Sequence, residues 1–134
     1  MKTITVVADD KVGLLADISY ILAKSKINIE SVNVDVVAGK AIISLSLSDI
    51  AKGKTVVEAG GYIVEEANAV VVKLPDSPGE LGKVTDMLAK DGINIQGLHT
   101  LSKDGTNTVV AILVDKPRRA NTLLGKVLIT NETV

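Results

Sequence analysis

The sequence predicts an α+β protein made of two βαββαβ units, each an antiparallel sheet with helices on one face. Two observations carry this prediction. The chain repeats itself after half its length, and each copy combines strand patterns of period two with a helical pattern of period 3.6. The repeat is plainest in the phrases DDKVGLLADISYILAKSKINIES, from Asp9, and PDSPGELGKVTDMLAKDGINIQG, from Pro75. Each copy is therefore one structural unit.

The two copies align without a gap. An offset of 66 residues pairs Gly13 with Gly79 and Ile63 with Ile129. The same offset aligns Asp10 with Asp76, Leu22 with Leu88, Asn28 with Asn94, Leu47 with Leu113 and Asp49 with Asp115. We therefore predict two domains, residues 1–67 and residues 68–134.

A buried strand and an amphipathic helix open each copy. β-Branched residues predict the strand at Ile4 to Ala8 and again at Val70 to Leu74. Apolar residues at helical spacing then predict a helix that packs on the sheet. Its expected core stripe is Leu15, Ile18 and Leu22, flanked by Leu14 and Ile21, and in the second copy Leu81, Val84 and Leu88, with Met87.

A hairpin with one apolar face follows the helix. In the first copy Val32, Val34 and Val36 alternate with polar residues, and after a turn at Ala38-Gly39 the apolar positions are Ile43, Leu45 and Leu47. The intervening Ser44, Ser46 and Ser48 are expected to face solvent. Asp104-Gly105 is a stronger turn signal in the second copy, because both residue types tolerate the positive φ of a type I′ turn.

A second helix and a last strand complete each copy. The helix is predicted from Ala51 to Ala59, closed by Gly60-Gly61, although Gly53 disfavours it, and the strand is predicted from Tyr62 to Glu66. This element order is that of a ferredoxin-like sheet.

Composition excludes several classes of function. The 134 residues carry a formal charge of −1 with acids and bases interleaved, so no basic surface for nucleic acid or an anionic membrane is expected. There is no cysteine, which removes disulfides and thiolate metal sites. The amino terminus meets acids too early for a signal peptide, and no window is long enough to span a membrane, so we expect a cytoplasmic protein.

The local phrasing resembles that of the ACT domain family. The features are a first strand, then Asp-x-x-Gly-x-Leu opening the helix, then Ile-Asn-Ile entering the second strand. DSPGELGKVTDMLAKDGINI in the second copy is the closer match, while the first copy has Val12 where the family usually has proline and Lys26 where it often has glycine. The resemblance covers nearly the whole chain, which is similar to a stand-alone tandem ACT protein.

Membership would imply a non-enzymatic, amino acid-binding regulator. In that family the ligand sits between two ACT units, held by the loop before the first helix and by the start of the second strand. Transferred to this sequence, the candidate residues are Asp10, Lys11, Val12, Gly13, Leu14, Leu15, Asn28 and Ile29 in the first copy, and Asp76, Ser77, Pro78, Gly79, Glu80, Leu81, Asn94 and Ile95 in the second.

The residue types permit this binding but also have structural explanations. A helix amino terminus leaves backbone N–H groups unpaired and can receive a carboxylate, an aspartate can meet an α-ammonium, and an asparagine offers a donor and an acceptor. Alternatively, Gly13 and Gly79 satisfy backbone geometry alone. Likewise, the aspartates only order a turn, and Asn28 and Asn94 only bond backbone.

The two loops differ in their capping residues. Ser77-Pro78-Gly79-Glu80 fits a capping box with proline at the first helical position, whereas the first copy has Lys11 and Leu14 at the equivalent places. We therefore expect the Lys11 to Leu15 loop to have less committed amides and to be the better carboxylate receptor.

The offset also predicts an interaction surface. It places Val110, Ile112 and Val114 opposite the serines of the first copy, so the second sheet is predicted to be apolar on both faces. We expect its outer face, with Leu101, Val110, Ile112 and Val114, to pack against another sheet in a homo-oligomer or within the chain; the alternative is cover by the chain terminus.

No catalytic, metal or cofactor site is expected. His99 is the only histidine, and neither a Ser/His/Asp arrangement nor a phosphate-binding glycine motif is legible. The alternatives to a regulator are an enzyme of ferredoxin-like architecture acting on a small acid, or an interaction scaffold with vestigial pockets. Neither the ligand nor the regulated partner follows from the sequence.

Overall fold

The computed structural model describes residues 3–65, 68–127 and 129. They form two compact units, unit 1 within residues 1–67 and unit 2 within residues 68–132. Unit 1 contains β1 Ile4–Asp9, α1 Leu14–Lys24, β2 Ile29–Val37, β3 Lys40–Leu47, α2 Ile50–Ala59 and β4 Ile63–Val64. Unit 2 contains β5 Ala69–Pro75, α3 Glu80–Lys90, β6 Ile95–Lys103, β7 Asn107–Val114 and α4 Pro117–Leu123.

Both units are antiparallel sheets with helices, which confirms the predicted α+β class. In unit 1 the strand order is β2-β3-β1-β4, and the complete βαββαβ order is present. In unit 2 the described strands lie in the order β5-β7-β6. The last strand predicted there lies outside the described residues except for Ile129, whose N–H donates to the Val71 carbonyl at 2.7 Å. No described helix has both the length and the apolar character that crossing a bilayer requires.

The helices bury a narrower stripe than the sequence predicts. The buried positions of α1 are Leu14, Ile18 and Leu22, which recur every four residues. Leu15 is 37% exposed because it lies about 100° around the helix from Leu14. Leu81 is likewise 38% exposed, while Val84 and Leu88 are buried. The predicted places of Leu15 and Leu81 in the core were wrong.

The two hairpins use different turns. In unit 1, Val37 pairs with Lys40, and the two residues between them have positive φ, 53° at Ala38 and 78° at Gly39, as a type I′ turn requires. In unit 2 the last pair is Lys103 with Thr108, so the loop has four residues. The type I′ turn predicted at Asp104-Gly105 was wrong, since φ is positive at Gly105 but not at Asp104.

Asp104 builds the longer loop through its side chain. Its Oδ1 accepts the backbone N–H groups of Asn107 at 2.7 Å and Thr106 at 2.9 Å. These two hydrogen bonds hold the pKa of the Asp104 carboxyl below its usual range. The aspartate therefore orders this turn by hydrogen bonding and not by adopting a positive φ.

The longer hairpin shifts β7 by one residue against the repeat. Pairing of β6 with β7 is irregular between Thr100 and Ser102, and β7 runs from Asn107 to Val114 where β3 runs from Lys40 to Leu47, an offset of 67 instead of 66. Equivalent hydrogen bonds show the same shift. The Asn28 N–H donates to Ser48 Oγ and the Asn94 N–H to Asp115 Oδ1, both at 2.9 Å.

This shift overturns the predicted interaction surface. A change of one residue in register moves every side chain of a strand to the other face. Val110, Ile112 and Val114 therefore lie in the helix-side core with Val84 and Leu88, and Ile112 is fully buried. Leu101 is half-buried at the pairing irregularity. The assignment of Val110, Ile112 and Val114 to an outer, partner-binding face was wrong.

The serines of β3 also differ from expectation. Ser44 and Ser46 are only 5% and 1% exposed. Ile42, on the same face of β3, is also buried. The expectation that both serines face solvent was wrong, because β3 is enclosed on both of its faces.

Gly53 in α2 has a packing role that explains why glycine occurs within this helix. A Cβ added there would lie 2.3 Å from Leu47 Cδ1. Unit 2 has Ala120 at the equivalent position, with the smaller Val114 in place of Leu47. By contrast, a Cβ added at Gly82 in α3 would meet nothing within 4 Å.

Replacing these glycines is expected to give opposite results. Gly82→Ala should raise the free energy of unfolding by about 0.5–1 kcal/mol, because alanine is the better helix former. Gly53→Ala gains the same propensity but overpacks the core, at a cost of about 1–3 kcal/mol, and should be destabilising overall. Urea denaturation of the two variants measures both values.

A double variant controls for the cause. Adding Leu47→Val to Gly53→Ala reproduces the alanine and valine pair of unit 2. It should recover part of the lost free energy of unfolding, which a double-mutant cycle measures. Strictly additive effects of the two changes would contradict the packing explanation.

Candidate functional site

Glycine at positive φ ends each of the two predicted binding loops. We define loop 1 as residues 10–13, between β1 and α1, and loop 2 as residues 76–79, between β5 and α3. Gly13 and Gly79 are the N-caps of the helices, with φ of 85° and 87°. Residues that carry a side chain rarely adopt this left-handed backbone conformation, so glycine is required at both positions.

Among the described residues, no side chain caps α1 or α3. The predicted capping box in unit 2 was wrong, because α3 begins at Glu80 and Pro78 lies before the N-cap instead of at the first helical position. The Glu80 N–H bonds to the Ser77 carbonyl at 3.3 Å, just as the Leu14 N–H bonds to the Lys11 carbonyl at 3.3 Å. The two helix starts are therefore alike in their backbone bonding.

Both helix starts present unbonded amides. The first regular helical bond of α1 joins the Asp17 N–H to the Gly13 carbonyl at 2.9 Å, and that of α3 joins the Lys83 N–H to the Gly79 carbonyl at 3.0 Å. Within the described ranges, the N–H groups of Leu15 and Ala16 have no hydrogen-bond partner, and the same holds for those of Leu81 and Gly82. Such amides can receive an anionic oxygen.

The hairpin turn flanks each loop. The Asp10 N–H donates to the Gly39 carbonyl at 2.9 Å, and Lys40 Nζ lies 2.6 Å from Asp9 Oδ1. In unit 2 the Asp76 N–H donates to the Thr106 carbonyl at 3.0 Å. Lys40 is a neighbour of loop 1 that the sequence patterns did not identify. The antiparallel pairing of β1 with β3 is the signal that identifies it, since it puts the turn and the loop at one end of the sheet.

The aspartates of the two loops differ in their pairing. Lys103 Nζ lies 3.3 Å from Asp76 Oδ1, whose side chain is 24% exposed. Asp10 is exposed, and its carboxylate has no partner among the residues that the structure describes. Asp9, which precedes loop 1, is paired instead, and the hydrogen bond from Lys40 and its charge lower the pKa of the Asp9 carboxyl. Loop 1 therefore keeps one uncommitted carboxylate.

The first helical turns differ in charge. Glu80 begins α3 and forms an ion pair with Lys83 at 3.2 Å, whereas the equivalent residue of α1 is the buried Leu14. A carboxylate at the start of a helix occupies the same positive field that an anionic ligand would use. In unit 1 the first acid of the helix is Asp17, and the exposed Lys11 adds positive charge beside the start of the helix.

Apolar side chains border the free amides of loop 1. Val12 is fully exposed, and Leu15 is partly exposed at the start of α1. In loop 2, the corresponding residues are Pro78, which is exposed, and Leu81. An aliphatic group could pack beside either loop.

The asparagines do not join the loops within a unit. Asp9 pairs with Lys40 and Ile29 with Leu47, so the two ends of β3 separate loop 1 from Asn28 by about 23 Å, at roughly 3.3 Å per strand residue. Ile29 and Ile95 are half-buried. One small ligand therefore cannot contact both the loop and the asparagine of the same unit.

The asparagine side chains are nevertheless uncommitted. The backbone of Asn28 is bonded to Ser48 and that of Asn94 to Asp115, but the two side-chain amides are exposed and have no partner in the described part of the chain. The alternative explanation, that these side chains only bond backbone, does not fit the structure.

The described residues contain no group of three or more His, Cys, Asp or Glu side chains placed to hold a metal ion. His99 lies on β6, opposite Ala111, and is exposed.

Removing the Lys40 ammonium should raise the pKa of Asp9. In Lys40→Gln the Asp9 carboxyl loses the hydrogen bond that lowers its pKa, which should return toward its ordinary value. A lowered folded-state pKa stabilises the fold above the unfolded-state value, and this stabilisation is lost as pH falls through the folded-state pKa. The variant should therefore lose less stability between neutral and acidic pH.

A titration of the Asp9 side-chain carbon by NMR measures this pKa. Lys103→Gln, which removes the lysine paired with Asp76 in unit 2, is the matched control and should leave Asp9 unaffected. An Asp9 pKa that is the same in Lys40→Gln and the parent protein would contradict the assigned ion pair.

Comparison with known proteins gives a family match over part of the chain and several structural likenesses. No curated protein matches the chain. Among solved structures, a Bacteroides thetaiotaomicron protein is 22% identical, with 95% of this chain and 90% of that one covered and a TM-score of 0.48. The regulatory subunit of aspartate kinase from Thermus thermophilus is 14% identical, with coverage of 93% and 90% and a TM-score of 0.43.

A third likeness is to the acetolactate synthase small subunit from Thermotoga maritima, which is 12% identical, with coverage of 96% and 89% and a TM-score of 0.40. The family model of the ACT domain matches residues 2–57, which include β1 through most of α2 of unit 1. Unit 1 therefore matches the ACT domain family over most of its length.

Proposed function

We propose that the protein is a cytoplasmic, non-enzymatic regulator that binds a free amino acid at loop 1. The ACT domain match supports a regulatory role based on small-molecule binding. The observation that supports amino acid binding concerns the amides of Leu15 and Ala16 and the nearby Asp10 carboxylate, none of which has a partner among the described residues. Those are complementary groups for a zwitterion.

The amides receive the α-carboxylate. Two successive N–H groups at a helix start donate to an anionic oxygen, and hydrogen bonds to a charged acceptor are stronger than those between neutral groups. Lys11, exposed in the same loop, adds a positive charge that attracts the carboxylate.

Asp10 receives the α-ammonium. Its backbone N–H is tied to Gly39 at 2.9 Å, which fixes the residue while leaving its carboxylate available. Asp76 in loop 2 is already paired with Lys103 at 3.3 Å, so an ammonium there would have to displace a lysine. This difference favours loop 1.

The ligand side chain packs against Val12 and Leu15. Both are apolar and exposed beside the amides, so an aliphatic amino acid buries their surface whereas a charged one does not. With loop 2 disfavoured by Glu80 and by the Asp76 pair, we assign one preferred receptor to each chain. The location of the ligand between two ACT units stays a prediction.

Regulation follows from differential affinity. An amino acid shifts the balance between two arrangements of a protein only if it binds one of them more tightly. Because loop 1 is bonded to the hairpin turn through Asp10 and Gly39, a ligand at the amides also acts on the turn. No chemical step is needed for such an output.

Calorimetric titration with three related probes tests the proposal. L-Valine carries both charged groups, valinamide lacks the carboxylate, and isovalerate lacks the ammonium. We expect saturable binding of L-valine or another aliphatic amino acid in a parallel panel, and binding at least about tenfold weaker for either truncated probe.

Loop variants place the binding. Asp10→Asn and Lys11→Ser, the latter copying Ser77 of loop 2, should each weaken binding, while the matched Asp76→Asn should not. Absence of saturable heat across the common amino acids, or equal loss in Asp76→Asn, would refute loop 1 as the receptor.

A further inference from the structure

Unit 2 contains a cleft that is separate from both loops. It has a volume of about 370 Å³ and is lined by Asp91, Arg118, Arg119, Thr122 and Leu123, from the end of α3 and from α4. This volume lies in the range of small-molecule sites. Both of the chain's arginines line it.

One arginine of the cleft is committed and the other is free. Arg119 bonds to both carboxylate oxygens of Asp91 through Nε and Nη2, the latter at 3.0 Å. Arg118 is exposed and forms no ion pair or side-chain hydrogen bond with any residue that the structure describes. The Arg119 guanidinium is held in place by Asp91, while the Arg118 guanidinium can form two parallel hydrogen bonds to a ligand.

The charge of the cleft is positive. The two guanidinium groups exceed the single carboxylate of Asp91 by one charge. Lys116 lies nearby, with its Nζ 2.7 Å from the Gly92 carbonyl, and adds a further positive charge. Thr122 donates its hydroxyl to the Arg118 carbonyl at 3.2 Å, which leaves the oxygen as an acceptor, and Leu123 supplies an apolar wall.

We infer that this cleft binds a small metabolite with a carboxylate or phosphate head group, which Arg118 holds through its planar fork while the remainder of the ligand lies against Leu123. Arginine matches both head groups in bidentate geometry, in a way that a lysine does not. The site goes beyond the proposed function, since it shares no residue with loop 1 and gives the chain a second, chemically distinct input.

Unit 1 has no counterpart of this cluster. The equivalent residues are Ser25 for Asp91, Ala51 for Arg118 and Lys52 for Arg119. The bidentate pair and the free fork therefore distinguish unit 2 from its repeat, and they are not part of the architecture that the two units share.

Amide and arginine Nε–H NMR titrations test the inference. Inorganic phosphate and succinate are added separately, with sodium chloride keeping the ionic strength constant. We expect saturable shifts at Arg118, Thr122 and Leu123 with at least one probe, and no saturable shift in loop 1. A response to phosphate alone assigns a phosphate head group, one to succinate alone assigns a carboxylate, and a response to both assigns the shared chemistry.

Variants of exposed cations provide the control. Arg118→Gln should weaken binding of the probe about tenfold. Arg118→Lys keeps the charge but loses the bidentate geometry, so its affinity should lie between those of Arg118→Gln and the parent protein. Lys126→Gln removes an equal charge elsewhere in unit 2 and should have no effect. Shifts that do not saturate with either probe, or affinity unchanged in Arg118→Gln, would overturn the site.

Discussion

The left-handed backbone at Gly13 is the constraint on which the candidate site depends. With φ at 85°, the chain turns from β1 into α1 without a side-chain cap, and no described residue bonds the amides of Leu15 and Ala16. A serine or aspartate N-cap in the usual extended conformation would have satisfied such a donor internally. The fold therefore gives up a local hydrogen bond at the place where an anionic group can supply one.

Duplication preserved this backbone but not its surroundings. Gly79 repeats the turn with φ at 87°, yet Glu80 and the Asp76–Lys103 pair change the charges around it. The extra residue in the second hairpin exchanges the faces of β7, and the helix-side positions remain apolar because Val110 and Ile112 replace Ile43 and Leu45. The cleft lined by both arginines lies in unit 2.

Periodicity and the repeat predict most of the fold. They fail where a single inserted residue sets the register of a strand, or where a single backbone angle sets the start of a helix. The first three strands and the first helix of each unit follow from these patterns. An ungapped offset, however, cannot detect the pairing irregularity after Thr100. Likewise, Ser77-Pro78-Gly79-Glu80 has the composition of a capping box, but in the structure Gly79 is the N-cap and the helix begins at Glu80. The loop residues were predictable, whereas the neighbouring Lys40 needed the strand pairing.

Hydrogen exchange at the amides of Leu15 and Ala16 measures whether these groups are open in the free protein and covered by a bound ligand. We predict rapid exchange of both amides in the free protein, with the Asp17 amide protected by its bond to Gly13. Both amides should exchange much more slowly when an amino acid saturates loop 1. Protection of Leu15 and Ala16 before any ligand is added, or unchanged exchange at saturation, would contradict this prediction.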